Sequence, residues 1–268
     1  MKFLVALFIS VLFTASVYSQ DSLGQKTGKL DFLHQIDDQK WKIQLPIWIP
    51  GLRGEFAYAA ISVLPEEEEK DIIGRLNKEI GVTFYFIGDI QYTPNKWLFS
   101  FNGFYTSLAS DLIFENIDKV KFLVAIEGAI LRGVSGYQVF KKENPSTFFN
   151  AEIHPFIGFR YVDLNIYSQK TTILDIRPAW FEPLIGIHAD VSHKRWFFSG
   201  EADVGGFSIN NHWSTYVSIE SNYRFNKLIG AGFGWTYLSF NYNENYEARY
   251  LDLNIALSGP VVNVNFNF

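Results

Sequence analysis

Carboxylates and imidazoles recur at even spacing in the middle of this chain, which sets them on one face of an extended strand. Glu152, His154 and Arg160 share a face in one alternating segment, and Glu182, His188 and Asp190 share a face in the next. Together with Glu127, Glu201 and Asp203, and with Glu220, Arg224 and Asp252, they form a polar set expected to point into a common interior. Carboxylate and imidazole converging on one point can hold a metal or exchange protons. The same groups can also neutralise one another in an interior too narrow for bulk water. That second reading is favoured, because neither histidine has the close local spacing of a zinc motif. No catalytic residue, metal or cofactor is therefore assigned, and Arg160 with Glu152 is expected to form the narrowest point of the interior.

Ser199, His188 and Glu201 could be assembled into a nucleophilic triad of the kind a lipid deacylase needs. No motif marks Ser199 as activated, and a polar wall is the favoured reading. Gly230, Gly232 and Gly234 alternate on one face without the strand-to-helix junction of a phosphate loop, so they are expected to make room for long side chains opposite. Asp203-Val204-Gly205-Gly206 could present a carboxylate near a rim, although a tight bend is the preferred reading. The acidic run Pro65 to Lys70, followed by Asp71 to Leu76, reads as a helix start with its acids at the dipole's positive end.

The elements that must position these residues are strands. Ten are expected, near 52–63, 80–92, 97–107, 119–139, 148–166, 178–191, 196–207, 213–225, 228–241 and 248–268. Tight turns at 93–96, 192–195 and 226–227 alternate with longer connections, the arrangement of an up-and-down barrel with short turns on one rim and loops on the other. Nearly every strand has one apolar and one polar face. Trp97, Trp196 and Trp213 fall in the apolar phase beside connections, as an aromatic girdle requires. Trp180 is out of phase. The last strand alternates Val262, Val264, Phe266 and Phe268 against Asn263, Asn265 and Asn267, while Leu251, Leu253, Ile255 and Leu257 lie in the opposite phase. A bulge near Ser258-Gly259-Pro260 is expected to switch the faces.

Met1 to Gln20 carries one early lysine and an apolar run from Phe3 to Val17, too short for a spanning helix of about 20 apolar residues. It reads as a cleaved signal peptide over 1–20, followed by a polar periplasmic lead-in over 21–40 and the barrel over 41–268. Aromatics make up 18% of the chain, yet mean hydropathy is only +0.02, because apolar residues alternate with polar ones. There is no cysteine, so no disulfide supports the fold in an oxidising compartment. The net charge of −5 argues against a nucleic-acid partner. The fold expected is all-β, a transmembrane antiparallel up-and-down β-barrel of about ten strands, eight or twelve being the alternatives.

The chain resembles a family of small, largely uncharacterised bacterial outer-membrane β-barrel proteins. The pieces that carry the resemblance are Leu45-Pro46-Ile47-Trp48-Ile49-Pro50-Gly51, Gly158-Phe159-Arg160-Tyr161, Asp203 to Phe207, Tyr223-Arg224-Phe225 and Ser258 to Phe268. It implies insertion in the outer membrane of a diderm bacterium and brings no activity or catalytic set. The expected partners are outer-membrane lipid and lipopolysaccharide, with the barrel-assembly machinery reading Val264, Phe266 and Phe268 as a sorting signal. The leading function is non-enzymatic, a structural or narrow pore-like role. An enzyme acting on lipid A or peptides at the outer rim, and a protein that binds through surface loops, are the alternatives.

Overall fold

The structure, a computed structural model, describes residues 40–60, 72–114, 121–168, 175–208, 212–246 and 249–268. The expected signal peptide and, but for Lys40, the lead-in lie outside those residues, as does the acidic run at 65–70. The described elements are strands: β1 (Trp41–Trp48), β2 (Gly51–Ala60), β3 (Ile72–Tyr92), β4 (Trp97–Phe114), β5 (Lys121–Tyr137), β6 (Phe140–Asn144), β7 (Phe149–Ser168), β8 (Asp175–Ile176), β9 (Ala179–His193), β10 (Trp196–Gly205), β11 (His212–Arg224), β12 (Ile229–Tyr246) and β13 (Arg249–Asn267).

Each long strand pairs antiparallel with its sequence neighbours, and β13 returns to β2, which pairs with β3, so the sheet closes on itself. β1 and β2 occupy one position in the wall. Trp48 faces Val261 and Gly51 faces Ser258 with no shift in register between them. Pro50 interrupts the line because it has no N–H to donate. Counted this way the barrel has ten staves, and every stave expected from the sequence has its counterpart. The first and last described residues meet on the turn rim, where Lys40 and Trp41 donate backbone N–H to the Phe268 carbonyl at 2.9 and 3.1 Å. Short β6 extends the β5 line and pairs with the start of β7, carrying an exposed hairpin beyond that rim. The helix expected to start in the acidic run at Pro65 and continue to Leu76 is not formed at residues 72–76. These pair with β2 and β4 as the start of β3, because ladder partners outweigh local helix preference.

The faces explain why this sequence closes into a membrane barrel. Outward on the turn side lie Trp97, Phe99, Phe101, Ile157, Phe159, Ile185, Ile187, Phe198, Phe233, Val262 and Val264, all exposed. Trp41 stacks on Tyr92 at 4.3 Å, Trp97 meets Tyr137 at 5.2 Å and Trp196 meets Tyr223 at 5.1 Å, a girdle of aromatic pairs at the turn rim. Trp213 marks the other edge of the belt. It lies level with Gly206, ten residues along from Trp196. At about 3.3 Å per residue and a tilt of about 40°, that is about 25 Å, the height of a lipid-facing band.

Nearer the loops the polarity of the two faces inverts while the strands keep their phase. On β7, buried His154 and Arg160 give way to buried Val162, Leu164 and Ile166, while the outward face changes from Ile157 and Phe159 to Asp163 and Asn165. On β12, Leu238, Phe240 and Tyr242 point inward and Asn241 outward. β13 does the same. Leu253, Ile255, Leu257, Val261, Asn263, Asn265 and Asn267 are all buried on one inner face, and its ladder with β12 runs from Arg249 to Phe266 without a shift. The expected bulge at Ser258-Gly259-Pro260 is therefore absent. What changes there is the surroundings, from lipid outside and polar groups inside to water outside and an apolar core inside. Asp252 consequently faces outward rather than inward. Trp180 is buried in this apolar core, 4.7 Å from the Tyr242 ring.

This inversion makes Leu253 a core residue at a height where its neighbour Asn254 meets solvent. Leu253→Ala should cost about 2–5 kcal/mol and Asn254→Ala less than about 0.5 kcal/mol, measured by reversible denaturant unfolding of the barrel in detergent micelles.

Candidate functional site

The inner wall is layered. Nearest the loops, Trp48, Ile126, Ile130, Val162, Leu164, Ile166, Trp180, Leu238, Phe240, Tyr242, Leu253, Ile255, Leu257 and Val261 form one continuous apolar cluster. It fills the bore. Trp48 crosses to meet Phe104 edge-on at 5.0 Å, and His212 lies flat on Tyr242 at 4.4 Å.

Beneath the cluster sits a layer of buried charge. Asp203 from β10 is clamped between two arginines: Arg160 Nη2 donates to Oδ1, and Arg132 Nε donates to Oδ2 at 2.9 Å. Arg160 Nη1 also donates to Glu182 Oε1 at 2.9 Å and to Ser214 Oγ, which in turn donates to Glu182. Arg132 reaches Glu201 as well, and its guanidinium lies 5.1 Å from both the Phe156 and Tyr216 rings. Arg160, Glu182 and Asp203 are 3% exposed or less. Desolvation of this order is tolerable only where every charge has opposite charge and hydrogen bonds around it. Asp203 thus faces the bore with the rest of this layer, not the rim.

Next toward the turns, His188 is held between two carboxylates, Nδ1 3.0 Å from Glu201 and Nε2 2.8 Å from Asp190. Directly opposite on β7 stands His154, its ring centroid 6.3 Å away, with Glu152 3.9 Å from its Nε2. Glu152 is drawn toward the hairpin instead, accepting from Asn150 Nδ2 at 2.8 Å and lying 3.4 Å from Lys141 Nζ. It and Arg160 sit eight positions apart on one strand, so they do not form a constriction together. Among the described residues no three histidine, aspartate or glutamate side chains come together in a metal-holding geometry. Both ring nitrogens of His188 are occupied by carboxylates. Neither is left to take a proton from Ser199, so no triad is assembled.

The turn-side end of the bore is a carboxamide lattice. Glu220 Oε2 accepts from Gln44 Nε2 and Asn263 Nδ2, each at 3.0 Å, and from Asn222 Nδ2 at 3.4 Å. Asn265 donates to Asn222 at 3.0 Å, and Asn267 donates to Asn265 at 3.1 Å. The glycines of β12 make this possible. A Cβ at Gly230 or Gly232 would run into the amide oxygens of Asn265 and Asn222 respectively. At the mouth Arg224 donates to Asn267 and lies 3.8 Å from the Phe197 ring.

Two residues of the expected polar set lie elsewhere, Asp252, which faces outward, and Glu127. Glu127 is on the outer face of β5, where it accepts from Tyr167 Oη at 2.8 Å and from Ser107 Oγ at 3.4 Å. Its strand has apolar residues on both faces. Glu127 stands above the lipid belt, where the outside is the wet side. The inverted phase also hid Arg132, which shares the inner face with Ile126, Ile130 and Val134. Tyr216 and Gln44 were missed too, since neutral polar residues in an alternating strand carry no signal of which partner they will meet.

No family model matches this chain, and no curated protein matches it. Among solved structures it is similar to the outer-membrane protease OmpT of Escherichia coli, at 8% identity and a TM-score of 0.47 over 86% of this chain and 97% of that one. It is also similar to the translocator domain of the autotransporter NalP from Neisseria meningitidis, at 7% identity and a TM-score of 0.40 over 99% of each chain. Neisserial surface protein A gives 10% identity and a TM-score of 0.27 over 85% of this chain and 97% of that chain. At such identities and scores no activity passes from these proteins to this one.

Removing Arg160 leaves the buried Glu182 carboxylate without a cation and Asp203 with Arg132 alone. Arg160→Ala should destabilise by about 3–5 kcal/mol, and Arg160→Met combined with Glu182→Leu should recover most of that, because Arg132 still holds Asp203. Glu127→Gln, outside the bore, should change stability by less than about 1 kcal/mol. Equilibrium unfolding in detergent distinguishes the three.

Proposed function

We propose that this chain is an integral outer-membrane barrel with a non-enzymatic, structural role, and that it does not conduct. The observation that carries the reading is the filled bore: an apolar cluster, a clamped charge layer and a carboxamide lattice lie in series along it. Ten staves make a barrel only slightly wider than one whose side chains fill it. The exterior supports a lipid location, since a belt about 25 Å tall between aromatic edges has no soluble counterpart.

Export by a cleaved leader and recognition of the Val264, Phe266 and Phe268 face by the assembly machinery belong to the same proposal. Val264 and Phe266 point to the lipid side, and the Phe268 backbone is bonded to Trp41, so this end is both displayed and needed to close the barrel. Among the described residues the buried inner face near the loops is mainly aliphatic and aromatic, with His212 stacked on Tyr242, which does not favour an outer-rim enzyme.

Planar-bilayer recording tests the reading. The intact protein should show no steady conductance, and Glu152→Ala with Arg160→Ala should leave it silent, since the apolar cluster above them is untouched. Steady porin-like current in the intact protein would contradict the proposal. Deleting Phe268 should lower the yield of heat-modifiable folded protein in the outer membrane more than Asn267→Ala does.

A further inference from the structure

Between the charge layer and the turn rim the packing leaves one polar space of about 40 Å³. Lys42, Gln44, Asp89, Gln91, Ser100 and Ser199 are among its walls, with Glu201 and Glu220. A space of that size holds about three water molecules. Its walls carry both signs of charge, which suits water better than a single ion. Glu220 accepts from the amides of the lattice, and Glu201 is paired with Arg132 and bonded to His188 through one of its oxygens. Asp89 receives a long 3.3 Å bond from Ser100, and a carboxylate has lone pairs for several more. Lys42 brings three donors to the same space.

The space has a direction. Gln91 is two residues from the turn at Thr93, Ser100 is three beyond the start of β4, and Ser199 is three beyond the start of β10, so its walls belong to the turn side of the barrel. On the other side stand Tyr216 and Arg132, then the apolar cluster, in which water would find no partners. We propose that the turn side of the bore is a blind aqueous chamber, filled by water from the turn rim and closed toward the loops. The inference rests on the filled-bore reading and deepens it: this water completes the solvation of Asp89 and Lys42 in a barrel that conducts nothing.

The absence of cysteine permits a direct test. Ser199→Cys, Ser100→Cys and Ile255→Cys are each reconstituted in liposomes in one known orientation, and folding is checked by heat-modifiable mobility. Silver ion, a membrane-impermeant thiol reagent about the size of a water molecule, is then offered in chloride-free buffer from one side at a time, with protein unfolded in dodecyl sulfate as the measure of full labelling. The expected result is labelling of Ser199→Cys and Ser100→Cys from the turn side, loss of labelling from the loop side, and no labelling of Ile255→Cys from either side. Protection of both chamber variants from both sides would overturn the chamber and leave the closed barrel standing. Labelling of the chamber variants from the loop side, or of Ile255→Cys, would overturn the chamber and the closed barrel together.

Discussion

A strand cannot exchange its two faces without a bulge, and these strands cross a boundary where inside and outside exchange their chemistry. In β7, β12 and β13 the inner phase is constant from rim to rim, while the residues that occupy it change from polar to apolar as the strand leaves the lipid. The rest of the structure depends on that constraint. Within the bilayer the outer face must be apolar, so the polar residues have nowhere to go but the bore. Above the bilayer water covers the outside, so the apolar residues turn inward and form a core like that of a soluble barrel.

The layers of the bore follow from it. Charge carried into a narrow barrel must be neutralised locally, and Asp203 between Arg132 and Arg160 is the centre of that neutralisation. Replacing such a group by a well-packed apolar one is often neutral or stabilising, whereas removing one partner alone is costly. The charge layer is thus weak evidence for stability as such. It does tie β5, β7, β9 and β10 together in one register, because each contributes a side chain to it.

Much of the architecture was legible from the alternation. Ten staves, the tight turns, the inward glycines and the outward, exposed phase of Trp97, Trp196 and Trp213 all follow from residue type and spacing. The errors share one cause. Leu253, Ile255 and Leu257 were expected outside, Glu127 and Asp252 inside, and a bulge was needed to reconcile the phases, because one polarity rule was applied along the whole strand. Trp180, out of phase under that rule, is in phase under the inverted one. The pairing of particular charges was not legible, since register across neighbouring strands decides which carboxylate meets Arg132. Nor was the start of β3 legible, where glutamate-rich residues and a helix-like pattern precede a segment that the ladder holds extended.

The inversion is best tested by the depth of the outer and inner faces of β13. Nitroxide labels at Val262, Asn254 and Leu253, introduced through single cysteines, report collisions with oxygen, which concentrates in lipid, and with a water-soluble nickel chelate. The account predicts oxygen-dominated collisions at 262, nickel-dominated collisions at 254, and access to neither reagent at 253. Oxygen-dominated collisions at 253, with 254 protected, would show that the strand does switch faces and would contradict the inverted barrel.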